Sequence, residues 1–326
     1  MTSKTFLLRL AILVFGISAL AVASNVAIDL YGLFRSGHGP TLKVYGEERN
    51  CKYLFSYRYI PENFDGLMLG SSVSDNIPTR SIAGLRIYNA SLNGGDVTEA
   101  ETLGINALSH GHFKLLLLSL HRYLMRDAGQ KTNFMVPPRY WGAFGSTQLY
   151  AASLNFMLDQ QGIKNTTPFD AYGVQAYGPP NADLRSNVAE FAAQLRSGHR
   201  DGWMFDIHPQ AFRDLQELVK IVHKHGVPLA VFYPPMPAAL IDANEQQLAD
   251  FKKAIRRAFT AEDLFIDFTA PEYRWFNDDF ENFHDGAHMS DSGAARLAGE
   301  LDRVISAGFA GRLARTAFGK SLPERR

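Results

Sequence analysis

The chain has 326 residues, 46% of them hydrophobic and 20% charged, enough apolar material for a sizeable core and too much for a disordered chain. Thirty-three basic residues balance thirty-three acidic ones, so no overall field favours nucleic acid, and a nucleic-acid partner is not expected. Cys51 is the only cysteine, which rules out an intrachain disulfide and any cysteine-cluster metal site.

At the N-terminus, Lys4 and Arg9 precede a run from Leu10 to Ile28 that carries no charge and just reaches the length of a bilayer span. Positive residues ahead of the run favour an N-in orientation. Residues 1–35 are therefore read as a single-pass anchor in the inner membrane, with everything after about Asp29 periplasmic or extracellular. Ala21-Val22-Ala23 resembles a cleavage site, so the alternative is a protein secreted after signal removal.

Residues 36–52 read as a connector, and a domain over 53–308 follows in which short apolar runs alternate with helical patterns. Gly66 to Leu69 is a buried strand running into the turn Gly70-Ser71-Ser72, with a helix expected after it. Arg86 to Ala90 is a second strand, ending at Ser91-Leu92-Asn93-Gly94-Gly95, and Thr98 with Glu101 has the spacing of a capping box that starts a helix. Phe113 to Leu120 is a third strand. From about 121 to 205 the rhythm weakens around Pro137-Pro138 and Pro179-Pro180, which marks a long insertion able to shape a cleft. A helix starts at His208-Pro209, with Phe212, Leu215, Leu218, Val219 and Val222 at helical spacing, and ends at Gly226. Pro228 to Tyr233 is a strand, Asn244 to Phe259 a helix, and Leu264 to Phe268 a short strand. The closing helix begins near Ser290 with Ala294, Leu297, Leu301 and Ile305 on one face, and residues 309–326 form a basic tail read as frayed or touching a membrane surface. This alternation predicts an α/β fold with a parallel sheet covered on both faces.

Serine attack on an ester needs an exposed hydroxyl, a base, a carboxylate that orients the base, and donors for the oxyanion. Gly70-Ser71-Ser72 presents Ser72 as the nucleophile just past a strand, although such a tripeptide standing alone is more often a plain helix start. Asp285-Gly286-Ala287-His288 places a carboxylate three residues before an imidazole, just ahead of the last helix. Both motifs sit at the carboxyl ends of strands, where open α/β sheets gather their ligands. The pairs His110/His112, His223/His225 and His284/His288 lack the carboxylate pattern of a zinc site, so neither a metal nor another cofactor is expected. Tyr140, Trp141 and Trp203 in the insertion are candidates for stacking on sugar rings, with buried packing the commoner role.

These two blocks resemble those of the SGNH/GDSL hydrolases, which open on a Gly-x-Ser turn after the first strand and close on Asp-x-x-His before the final helix. The resemblance covers roughly Phe64 to Ile305 and implies a flavodoxin-like three-layer sandwich with Ser72 as nucleophile, His288 as general base and Asp285 as its orienting partner. It further implies an oxyanion hole built from the backbone N–H of Ser72 and of Gly94 or Gly95. The family's Gly-x-Asn-Asp block is absent. Ser119-Leu120-His121-Arg122 stands in its place, with His121 either a third donor or a polar strand end without a role. In these departures the chain is similar to membrane-anchored envelope acylation proteins, such as the D-alanyl transfer protein of teichoic acid and the O-acetylation proteins of exopolysaccharides. That likeness implies serine-dependent transfer or hydrolysis of an O-acetyl or similar group on an envelope polymer. Its partners would be an acylated polysaccharide or other envelope ester, the membrane itself, and a membrane acyltransferase. The missing block motivates the alternative of a non-catalytic polymer-binding or assembly component.

Overall fold

The structure, a computed structural model, describes residues 3–37, 39–80, 82–126, 134–163, 168–198 and 205–318, with side chains described as far as Phe309. Trp203 lies outside the described residues. Five strands form one sheet: β1 (Gly66–Leu69), β2 (Ile87–Asn89), β3 (Leu115–Ser119), β4 (Leu229–Tyr233) and β5 (Leu264–Asp267). Among the described residues thirteen α-helices accompany them: α1 (Ser3–Ile28), α2 (Glu48–Phe55), α3 (Tyr59–Asn63), α4 (Val97–His110), α5 (Arg122–Met125), α6 (Pro138–Gly142), α7 (Thr147–Gln160), α8 (Leu184–Arg196), α9 (Pro209–Lys224), α10 (Ala238–Ala243), α11 (Glu245–Arg256), α12 (Arg274–Asn277) and α13 (Asp291–Phe318).

The sheet order is β2-β1-β3-β4-β5 with every pairing parallel, and Met68 of β1 sits in register with Asn89 of β2 and Leu117 of β3. This is the order of flavodoxin-like sheets, whose direction of winding reverses between β1 and β3 and opens a crevice at their carboxyl ends. Successive strand residues face opposite ways, and both faces are covered, which is why the strands read as unbroken apolar runs. Leu67, Leu69, Leu116, Leu118 and Val231 pack with α2, α4 and α9 on one side. Met68, Leu115, Leu117, Ala230 and Phe232 pack with α8, α10 and α13 on the other, giving three layers. Ala294, Leu297, Leu301 and Ile305 are fully buried along α13, as their spacing predicts. Between β3 and β4 the described residues contribute helices α5 to α9 and no strand to the sheet.

Four local expectations are corrected. The capping box of α4 falls two residues early: the Asp96 carboxylate accepts from the Glu99 N–H at 2.9 Å and Glu99 accepts from the Asp96 N–H at 3.4 Å. Thr98 instead donates to Asp214 on α9 at 2.5 Å, a tertiary bond that spacing does not reveal. The turn after Ser72 continues as successive turns through Asn76 and does not become a helix. The basic tail is not frayed from its start, because α13 runs on to Phe318. The stretch read as connector also contains the first turn of α2, where Asn50, Cys51 and Lys52 are buried.

Helix α1 has 26 residues, a mean hydropathy of 2.4 over its most apolar window and none of that window buried, so it is long and apolar enough to cross a membrane. It ends at Asp29, whose buried carboxylate accepts from the N–H groups of Leu33 at 2.7 Å and Arg35 at 2.8 Å and so turns the chain into the domain.

Candidate active site

Strand β1 delivers the chain into Gly70-Ser71-Ser72 at the β1/β3 crevice. Gly70 is required by crowding: a Cβ there would lie 2.3 Å from Ser74 Oγ and 2.9 Å from Ser119 Cβ. The pairing of β1 and β2 reaches past the strand ends, with a bridge between Ser71 and Leu92 that holds the serine turn against the loop after β2. Ser72 is 9% exposed, so its hydroxyl sits at the floor of the crevice.

Residues Asp285 to His288 form a turn between β5 and α13, closed by the His284 N–H donating to the His288 carbonyl at 2.9 Å. The Asn76 amide donates to the Met289 carbonyl at 2.8 Å and pins this turn to the serine turn, 213 residues away in sequence. His288 Nε2 stands 3.0 Å from Ser72 Oγ, and its Nδ1 stands 2.9 Å from Asp285 Oδ2. The other Asp285 oxygen accepts from the N–H groups of Ala287 and His288, each at 2.7 Å. Burial works against ionisation of Asp285, but the His288 side chain and these two N–H donors outweigh it and bring the carboxyl down to about 2. Burial likewise works against the His288 imidazolium, but the Asp285 hydrogen bond and charge, with help from Asp75, raise its pKa above the ordinary histidine value. A neutral His288 with its proton on Nδ1 leaves Nε2 to accept from the serine hydroxyl.

Three groups around this chain carry no sequence motif. Tyr177, from the insertion, packs its ring 4.9 Å from that of His288, with its hydroxyl 3.0 Å from Asp75 Oδ2 and 3.3 Å from the Ser72 carbonyl. Asp75 is fully buried; burial pushes its carboxyl up to about 7, against the pull of Lys52. Lys52 is also fully buried, with Nζ 2.9 Å from Glu48, 2.6 Å from the Ser91 carbonyl and 3.3 Å from the Gly173 carbonyl. An acid three residues after the serine was a local signal for Asp75. Tyr177 and Lys52 are brought in by folding alone.

Around the loop after β2, Gly94 has φ +61, a left-handed backbone that suits glycine. The Gly95 N–H donates to the Leu92 carbonyl at 2.9 Å and is engaged inside the turn. Helix α2 grips the preceding residue from both sides: Arg49 donates to the Asn93 carbonyl at 2.9 Å, and the Asn93 N–H donates to Glu48 at 3.1 Å. In a trans peptide the carbonyl and the next N–H point opposite ways, so fixing the Asn93 carbonyl on Arg49 aims the Gly94 N–H away from α2.

His121 follows β3, on the far side of the crevice from β2, and is 4% exposed. Its Nδ1 accepts from the Tyr123 N–H at 3.4 Å. Burial, then the charges of Arg122 and His288, hold its pKa well below the ordinary value, so the ring is neutral with its proton on Nε2. That buried Nε2 has no protein partner among the described residues. The pair His223/His225 has another occupation, since His223 Nε2 bonds Asp263 at 2.8 Å.

No protein-family model matches this chain, and no curated protein does. Among solved structures, the chain is similar to one described as "a putative platelet activating factor from Streptococcus pneumonia", with 13% identity and a TM-score of 0.41 over 82% of this chain and 92% of that one.

Proposed function

We propose that this protein is a serine acyl-transfer enzyme of the SGNH/GDSL type, held to a membrane by α1, that acts on an O-acetyl or similar ester of an envelope polymer. The observation that carries this reading is the unbroken chain from Ser72 Oγ to His288 at 3.0 Å and from His288 to Asp285 at 2.9 Å, in a sheet crevice that gathers ligands. Ser72 Oγ attacks the acyl carbonyl while His288 Nε2 takes its proton. The N–H groups of Ser72 and Gly94 and the Nε2–H of His121 receive the negative charge that forms on the carbonyl oxygen. His288 then protonates the departing oxygen, leaving an acyl-Ser72. Water or a sugar hydroxyl, deprotonated by His288, attacks the acyl group and releases the serine. The neutral Nε2 of His121, buried beside the crevice without a protein partner among the described residues, supports its role as a donor.

Labelling of the full-length protein with a fluorophosphonate, read by intact mass, tests this directly. Wild type should gain one adduct, and Ser72→Ala and His288→Ala should not. A folded wild type that takes no label would overturn the reading in favour of a non-catalytic polymer-binding component.

A further inference from the structure

Outside α1, all but one of the exposed large apolar side chains among the described residues fall in one segment. Trp141 is 70% exposed, Tyr150 50%, Leu154 53%, Met157 49% and Ile163 66%, and Trp275 is the exception. Tyr150, Leu154 and Met157 recur at positions i, i+4 and i+7 and therefore share one stripe of α7. The exposed residues of this helix are Thr147, Tyr150, Ala151, Leu154, Met157 and Gln160, and none is charged. The helix's single charged residue, Asp159, is turned aside, with Lys43 at 3.2 Å and Tyr45 at 2.8 Å. Leu149 and Ala152 face the core on the opposite side. A soluble surface seldom leaves so continuous an uncharged apolar stripe uncovered.

The position of the stripe says what covers it. Asn25, the one buried residue of α1, donates to the Phe144 carbonyl at 2.8 Å. The ring of Phe34, just past the end of α1, is 4.9 Å from that of Phe144, and Trp141 stacks on the same Phe144 ring at 6.0 Å and 25°. The segment bearing the stripe thus begins where the apolar helix meets the domain. A span that ends near Asn25 puts Trp141 at the level of the headgroups, where tryptophan is favoured. It also puts α7, about 21 Å long for its 14 residues, within reach of the same leaflet.

We propose that the α6–α7 hairpin lies in the membrane interface, with Trp141, Tyr150, Leu154 and Met157 entering the headgroup–acyl boundary of the leaflet from which α1 emerges. This rests on α1 being an uncleaved span. An amphipathic helix with an uncharged apolar face binds in this way. With α1 it makes a second attachment that fixes the domain's tilt and the height of the Ser72 crevice above the lipid, whatever chemistry that crevice performs.

The full-length protein in phosphatidylcholine–phosphatidylglycerol nanodiscs provides the test. Single cysteines at Leu154→Cys and Met157→Cys carry an environment-sensitive fluorophore, with Val14→Cys in α1 and Glu190→Cys on α8 as references; native Cys51 is 1% exposed and takes no label. Labels at 154 and 157 should be quenched about twofold or more by a nitroxide near the headgroup end of the acyl chain, and the label at 190 should not. The label at 14 should respond to a nitroxide deep in the chain. If 154 and 157 behave like 190 while 14 is quenched, the interfacial contact is wrong and the anchor stands. A blue shift at 154 without lipid quenching means that a protein covers the stripe, and likewise overturns the proposal. If 14 is unquenched, the anchor fails and the contact with it. Thermal unfolding midpoints equal to wild type are expected for the cysteine variants, because neither side chain is buried.

Discussion

His288 and His121 flank the same crevice with opposite electrostatics. Asp285 steadies the imidazolium of His288, whereas His121 is buried beside Arg122 and stays neutral. Only neutral His288 can accept the serine proton. kcat/KM for an activated ester should therefore fall as pH drops through a midpoint above the ordinary histidine value of 6.5. Asp285→Asn removes the charge that raises this midpoint, and a pH–rate profile should show it shifted down with kcat lower by about 10²- to 10⁴-fold. An unchanged midpoint would mean that Asp285 does not control the base. For His121, a donor that acts only on the oxyanion changes kcat more than KM. His121→Ala should lower kcat by about 10²- to 10³-fold with KM nearly constant, and His121→Asn, which keeps an N–H donor, should recover part of the loss. Equal losses in the two variants would assign His121 to packing.

Helix α2 sits before the first strand, yet it determines the shape of the loop after the second. Arg49, Glu48 and Lys52 hold the Asn93 carbonyl, the Asn93 N–H and the Ser91 carbonyl respectively. Arg49 also pairs with Glu99 at 2.6 Å and so links the loop to the first turn of α4. Arg49→Met should free the Asn93–Gly94 peptide to rotate. Steady-state kinetics should show kcat reduced about 10- to 100-fold, KM little altered, and partial recovery in Arg49→Lys. A matched loss in KM would make Arg49 a substrate contact. The five strands and helices α4, α9, α11 and α13 were legible in the chain because their apolar residues repeat with the period of the element, whereas α7 and α8, in the stretch read as an irregular insertion, were not. The capping of α4 was misplaced because Thr98 and Glu101 have the right spacing, and only the Asp214 bond to Thr98 distinguishes them from Asp96 and Glu99.

For the whole molecule, the Ser72 turn, the loop after β2 and the Asp285–His288 turn meet over a buried carboxyl that favours the protonated form. Asp75 has a folded pKa of about 7 against 3.8 in an unfolded chain, so its contribution to stability is complete below the lower value and lost as pH rises through the upper one. Thermal unfolding of wild type at pH 5 and pH 8 should show this decline, and Asp75→Asn, which cannot ionise, should flatten it. A slope unchanged in the variant would place the titration elsewhere. The sequence fixes the period of each element, the apolar N-terminal run, the glycine-rich turn before Ser72 and the three-residue spacing of Asp285 and His288, because each depends on neighbours a few residues apart. The closure of Ser72 on His288 across 216 residues, the engagement of the Gly95 N–H by the Leu92 carbonyl, the neutral tautomer of His121 and the arrival of Tyr177 and Lys52 depend on burial and on contacts that the chain makes only once folded. Hydrogen bonding and desolvation at those sites exist only once the sheet has brought the segments together.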